Sequence, residues 1–195
     1  MVDCLLYKFM LPPLAFLWKL IYRPQKVGLE NIPKEGPVIL CGNHTSPWDV
    51  AILFISTKRT VRFLAKKELF NSKIKKLIFD SLGAIPVDRS KKDKNVLEVA
   101  EKMLNDGELL CIFPEGTINR TDDVIMPFKF GAVSLAKKTN CKLVPFGITG
   151  KNSLIPFKGD YKIHFTKAYQ LEDTDLEKEN LKLMNKVKKI LLGQI

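Results

Sequence analysis

The stretch Asn43-His44-Thr45-Ser46-Pro47-Trp48-Asp49 lies between two uninterrupted apolar runs, and its reading decides the fold. Pro37-Val38-Ile39-Leu40-Cys41 before it is short and follows turn residues, as a buried strand does. Val50-Ala51-Ile52-Leu53-Phe54-Ile55 after it fits a buried helix. Ser46-Pro47-Trp48-Asp49 has the form of a helix start. Ser46 stands at the N-cap, Pro47 at the first helical position, and an acid follows three residues after the cap. A strand that passes through a polar loop into a helix is the repeating unit of an α/β domain. His44, one of two histidines in 195 residues, falls in that loop. Asp49 has two readings there. It can be the acid of a capping box, or it can reach back to the imidazole, and a histidine oriented by a carboxylate is the minimal general-base unit. In the second reading, Asn at position 49 would present an amide N–H to the ring and favour the wrong tautomer.

The same alternation continues outward. Strands are expected around 27–29, 61–65, 83–87, 109–113 and 142–147, and 161–169 alternates like an edge strand. Helices are expected over 66–82, from Ser90 or Asp93 to about Leu104, over 130–138, and from Asp175 through Ile190 and Leu191. The sum is an α/β fold: a single domain over residues 25–195, with a mixed central sheet flanked by helices.

Residues 1–24 read differently. The run from Cys4 to Tyr22 is strongly apolar, but Lys8, Lys19 and Pro12-Pro13 interrupt it, and only ten residues separate the two lysines. A spanning helix needs about 20 mostly apolar residues. Tyr7, Trp18 and Tyr22 with flanking Lys and Arg are interfacial types, so a membrane-associating segment lying in one leaflet is expected. A signal peptide is not, because Asp3 stands in the n-region and no small-residue cleavage site follows. The net charge of +11 suits anionic partners, a phospholipid surface among them. Over 66–79, Leu69, Phe70, Ile74, Leu77, Ile78 and Phe79 alternate with Lys66, Lys67, Lys73, Lys75 and Lys76. Such a stretch fits a core-facing helix with a solvated lysine face, and it also suits an anionic membrane surface. The four cysteines form no CxxC pair, and Cys41 and Cys111 sit in apolar runs, as reduced buried thiols do. Two distant histidines and scattered cysteines lack metal-ligand spacing, so no metal is expected.

The chemistry-bearing residues gather just after strands. His44, Arg89 and Glu115-Gly116-Thr117 each follow an apolar run, and ligands of α/β sheets gather beyond the carboxyl ends of the strands. Arg89 offers a planar fork suited to phosphate. Glu115, against a buried strand, must be paired with a cation or hydrogen-bonded to backbone. Gly116 allows close backbone approach, and Lys129 between Phe128 and Phe130 can be a second phosphate contact or a plain helix-start lysine.

Four blocks in order resemble the glycerolipid acyltransferase family. They are His44-Thr45-Ser46-Pro47-Trp48-Asp49, Gly83-Ala84-Ile85-Pro86-Val87-Asp88-Arg89, Phe113-Pro114-Glu115-Gly116-Thr117 and Val144-Pro145-Phe146-Gly147-Ile148. The resemblance covers about residues 26–170 and is nearest to the branch that acylates 1-acyl-sn-glycerol 3-phosphate. It implies transfer of an acyl group from acyl-CoA or acyl-carrier-protein to the free glycerol hydroxyl, giving phosphatidic acid, with no other cofactor and no metal. In that picture His44 and Asp49 are the catalytic pair. Arg89, with Arg120 or Lys129, holds the phosphate, and Glu115, Gly116 and Thr117 shape the acceptor site, where backbone N–H groups can face the oxyanion. The chain departs from the pattern after Thr117, where the family continues Arg-Ser and Ile118-Asn119 stand instead; Arg120 is the next arginine. The implied partners are lysophosphatidic acid, the acyl donor and a phospholipid surface on the cytoplasmic face of the cell membrane, with no nucleic acid.

Two other classes fit less. A non-catalytic basic surface binder accounts for the charge and leaves the His44 and Glu115 blocks unused; RNA binding would also call for aromatics spaced on a sheet. A serine hydrolase needs a Gly-x-Ser-x-Gly elbow, which this chain lacks.

Overall fold

A computed structural model describes residues 24–81, 83–88, 94–150 and 160–195. Its centre is β2 (Val38–Gly42), buried along its whole length. On either side lie β5 (Leu109–Ile112) and β6 (Lys142–Thr149), both parallel to it. Strands covered on both faces read as continuous apolar runs, which is why these three were plain in the sequence. β3 (Val61–Lys66) extends the parallel block beyond β5, and β4 (Ala84–Val87) beyond β3. On the other flank β7 (Lys162–Phe165) pairs antiparallel with β6, and β1 (Gln25–Val27) adds parallel to β7. Among the described residues the seven strands form one mixed sheet in the order β1-β7-β6-β2-β5-β3-β4.

Successive side chains of a strand point to opposite faces, so the sheet carries two cores. Ile39, Cys41, Leu110 and Leu143 meet α3 (Lys94–Asn105), α4 (Gly131–Thr139) and α5 (Leu176–Leu191) through Leu104, Ala132, Ala136, Leu183 and Val187. Val38, Leu40, Phe146, Ile163 and Phe165 meet α1 (Asp49–Ser56) through Ile52 and Leu53 on the other face. Gly42 is required at the end of β2, because a Cβ there would stand 2.4 Å from the Phe146 ring. Cys41 and Cys111 are free and buried, and burial pushes both thiols well above their ordinary range. α5 opens as expected at Asp175, whose carboxylate accepts from the N–H groups of Glu177 and Lys178.

Three expectations are corrected. The strand expected at 27–29 sits at Gln25–Val27: Gly28, at φ 75°, breaks it, and Leu29–Asn31 forms a 3-10 turn. The 161–169 segment is no edge strand, because β1 pairs on its outer side; its tail returns as a single bridge from Tyr169 to Leu143. The helix expected over 66–82 is divided into a 3-10 turn, Lys67–Phe70, and α2 (Lys73–Ser81). Ser72 makes the break: its hydroxyl accepts from Lys75 N at 3.2 Å and caps the second piece. The expected N-terminal membrane segment lies outside the described residues but for residue 24, as do the start of the α3 region at Ser90–Asp93 and Cys4. No helix among the described residues is long and apolar enough to cross a membrane.

Candidate active site

β2 and β5 are neighbours and parallel, yet the chain leaves them in opposite directions. After β2 it goes to α1 on one face; after β5 it goes through a long loop to α4 on the other. Such a switch point opens a crevice beyond the carboxyl ends of the two strands. The loop after β2 carries His44, and the loop after β5 carries Glu115.

Asp49, wholly buried, holds the imidazole. Its Oδ2 lies 3.0 Å from His44 Nδ1. The same oxygen accepts from Thr45 N at 2.8 Å and from Ser46 N at 2.9 Å. The bond to Ser46 N is the back-reaching bond of a capping box, so the two readings of Asp49 are one arrangement. The helix itself begins two residues later than the sequence indicated. Pro47 and Trp48 form a turn, α1 starts at Asp49, and the Ser46 hydroxyl accepts from Trp48 N at 3.2 Å. With Nδ1–H donated to the carboxylate, Nε2 is the ring nitrogen with a free lone pair. The Phe113 ring stacks on the imidazole at 4.1 Å between centroids and 16° between planes, leaving the histidine side chain 17% exposed. Carboxylate and aromatic face together restrict the ring to one orientation.

Glu115, 3% exposed, resolves the choice posed by its position in favour of backbone. Oε1 accepts from His44 N at 2.8 Å and Oε2 from Met126 N at 2.9 Å, so the carboxylate ties the β2 loop to the far arm of the β5 loop. Asn119 N donates to His44 O at 2.7 Å, a second tie between the loops. Asn43, also buried, clamps the carboxyl end of β6: its amide donates to Ile148 O at 2.9 Å and its oxygen accepts from Ile148 N at 2.8 Å. The backbone on which His44 rides is thus held on either side by buried polar side chains.

Gly116 is at φ 75°, and a Cβ there would lie 2.7 Å from Lys129 Nζ. The lysine chain therefore lies across this glycine, and Lys129 N donates to Pro114 O at 2.9 Å. Gly116 N donates to Phe113 O at 3.0 Å, which removes it from the N–H groups able to face an oxyanion. Thr117 and Arg120 are exposed, and Arg120 follows directly on the residue bonded to the His44 carbonyl. Trp48 and Phe130, next in sequence to Asp49 and Lys129, are both exposed.

The structure thus brings His44, Asp49, Glu115, Gly116 and Lys129 together, and hangs Thr117 and Arg120 on the same loop. Arg89 lies outside the described residues; β4, which precedes it, ends on the same edge of the sheet. Three residues went unread as site-builders. Phe113 carried no signal beyond its place in an apolar run. Asn43 could have been singled out as a polar residue ending a buried strand. Asn119 lies in a turn-rich stretch, and its side-chain oxygen accepts from Thr121 N at 2.9 Å to shape the loop.

The sequence profile of the Acyltransferase family matches residues 23–149. A 1-acyl-sn-glycerol-3-phosphate acyltransferase of Bacillus subtilis is 30% identical over 149 residues, which span 76% of this chain and 73% of that protein. One from Borreliella burgdorferi is 32% identical over 164 residues, spanning 79% of this chain and 65% of that protein. The crystal structure of the 1-acyl-sn-glycerophosphate (LPA) acyltransferase PlsC from Thermotoga maritima has the same fold, with a TM-score of 0.74 over 96% of this chain and 81% of that one, at 23% identity. The profile match covers more than half of the chain, and the Bacillus relative is matched over more than two thirds of both sequences, so this protein belongs to the acyltransferase family of enzymes.

Proposed function

We propose that the enzyme acylates the free hydroxyl of 1-acyl-sn-glycerol 3-phosphate, giving phosphatidic acid. The observation that carries the reading is the 3.0 Å contact of His44 Nδ1 with a buried Asp49, at the switch point of the sheet. The names of the Bacillus and Borreliella relatives support the acceptor.

His44 Nε2 takes the proton of the acceptor hydroxyl as its oxygen attacks the thioester carbonyl carbon. The C–S bond of the tetrahedral intermediate then breaks, and the departing sulfur takes the proton back from the imidazolium. Asp49 sets the tautomer and stabilises the imidazolium between the two transfers. The hydroxyl is itself the nucleophile, so no acyl-enzyme forms, and the thioester is activated enough to need no metal. Arg89, Arg120 and Lys129 supply cations for the acceptor phosphate, with Arg120 standing in for the arginine that the family places directly after Glu-Gly-Thr. Glu115 serves the site through backbone, holding the loops on which His44, Arg120 and Lys129 ride. The acyl donor is acyl-CoA or acyl-carrier-protein. An acceptor that lives in a bilayer implies work at a membrane surface, on the cytoplasmic face, with the apolar N-terminal segment as one contact.

Thiol release from acyl-CoA and from acyl-carrier-protein, with lysophosphatidate, glycerol 3-phosphate and other lysophospholipids in turn, tests the reading. The expected result is release that depends on lysophosphatidate and is lost in His44→Ala. Preference for glycerol 3-phosphate would move the acceptor within the family, and release of fatty acid without any acceptor would overturn transfer in favour of hydrolysis.

A further inference from the structure

α2 does not bury its apolar side. Ile74 is 74% exposed, Ile78 45% and Leu77 37%, and Leu69 in the preceding 3-10 turn is 41% exposed. Single exposed apolar residues are ordinary on a protein surface, but a contiguous stripe marks an interaction site. At about 100° per residue, Leu77, Ile74 and Ile78 fall within one arc of about 100°, and Lys73 and Lys75 border it on either side. The opposite side is engaged otherwise: Phe79, half-buried, packs against Phe70 with ring centroids 5.4 Å apart, and Lys76, itself exposed, pairs with Asp80. Lys66 and Lys67 add positive charge at the base of the helix, and both are exposed. An outward apolar stripe between lysines is the pattern of a helix that lies in the plane of an anionic bilayer.

The location gives the stripe a purpose. A surface cleft between the 3-10 turn, α2 and the end of β4 is lined by Lys67 and Lys76, by the carboxylates Glu68 and Asp88, and by Phe70 and Pro86. Lys66 and Val87 are register partners at the carboxyl ends of β3 and β4, so this cleft opens on the edge of the sheet that also carries His44 and Glu115. We propose that the outward face of α2 is a docking surface for an anionic phospholipid bilayer, set so that the membrane meets the protein at the edge where the acceptor is acylated. The apolar residues enter the headgroup boundary and the lysines meet lipid phosphates. The proposal rests on the reading that the acceptor is a membrane lipid, and it makes α2 a contact separate from the N-terminal segment.

The test uses the full chain and two double variants, Ile74→Ser with Leu77→Ser and Lys73→Glu with Lys75→Glu. None of these residues belongs to the site, and circular dichroism melts check that the variants fold. Vesicle binding is measured with phosphatidylcholine alone and mixed with phosphatidylglycerol. Turnover is measured on lysophosphatidate in mixed vesicles and on a short-chain, water-soluble lysophosphatidate. Reversal of two lysines should weaken binding to the mixed vesicles by at least about tenfold. Loss of the two apolar contacts should weaken it comparably. Turnover on vesicle-borne acceptor should fall in step, while turnover on the soluble acceptor stays parental. Unchanged vesicle binding by both variants would overturn the proposal, as would a change from dimer to monomer with vesicle binding intact, which would give the face to a second copy. Equal loss on the soluble acceptor would overturn it too, by assigning α2 to the catalytic site. Failure of the underlying reading looks different: the parent enzyme then turns over neither acceptor, whatever its affinity for vesicles.

Discussion

Asp49 and Glu115 are both buried carboxylates beside His44, and they use their oxygens in opposite ways. Asp49 gathers three donors on one oxygen, all of them within five residues of itself. Glu115 divides its two oxygens between donors 71 and 11 residues away. The first carboxylate sets the ring; the second sets the backbone that carries the ring. A histidine that serves as general base, the role proposed for His44, needs both, because an oriented imidazole on a loose loop would miss a near-attack geometry with tolerances well under an ångström.

The largest effect is expected from Asp49→Ala. It removes the partner of Nδ1 and leaves the N–H groups of Thr45 and Ser46 without an acceptor. Turnover should fall by about 10²–10⁴, the range for general-base assistance, and urea melts should show a loss of about 1–3 kcal/mol for the stranded donors. Parental turnover in this variant would dissolve the distinction between the two carboxylates.

Glu115→Gln comes next. A glutamine can accept from His44 N or from Met126 N, and must then aim its NH₂ group at the other. The expected cost is about 1–3 kcal/mol of stability for the unsatisfied donor, together with a fall in kcat that exceeds any rise in acceptor KM. A KM effect alone, with parental melting, would show that Glu115 faces the acceptor rather than the loops.

Asp49→Asn should do less than the sequence alone leads one to expect. Two backbone N–H groups fix the amide oxygen where Oδ2 now stands, since turning the amide would set its NH₂ against both of them. Nδ1–H keeps its acceptor and the tautomer is preserved. Only the charge that stabilises the imidazolium is lost, so kcat should drop about 10–100-fold, the difference between charged and neutral hydrogen-bond partners. A drop near the 10⁴ seen for this exchange in a serine protease would mean that the amide turns and the wrong tautomer forms.

The smallest effect belongs to Ser46→Ala. The hydroxyl serves a single turn N–H at 3.2 Å, so stability should fall by about 1 kcal/mol or less. Rates should stay near parental. A larger loss of rate than of stability would place Ser46 in the site.

The sequence by itself determined the central strands β2, β5 and β6, because strands buried on both faces must be apolar throughout. It also placed Asp49 within reach of His44, since five residues spanning a helix start have little freedom, but it left open whether the carboxylate only caps the helix or also meets the ring, and the 3.0 Å contact answered that. Where each polar loop begins was equally local, being the point at which an apolar run stops. What Glu115 does was left open between a cation and backbone, since its partners are chosen by which strands lie side by side. The same holds for Phe113 on the imidazole and for Asn43 on Ile148, 105 residues away. β7 reads as an edge strand because its alternating pattern carries no record of the three-residue β1 that pairs outside it. α2 is the sharpest case. One spacing of apolar residues and lysines fits a helix packed on a core as well as one turned outward. Only the tertiary structure, in which Phe70 and Phe79 pack together while Ile74 and Leu77 are left at the surface, decided between them.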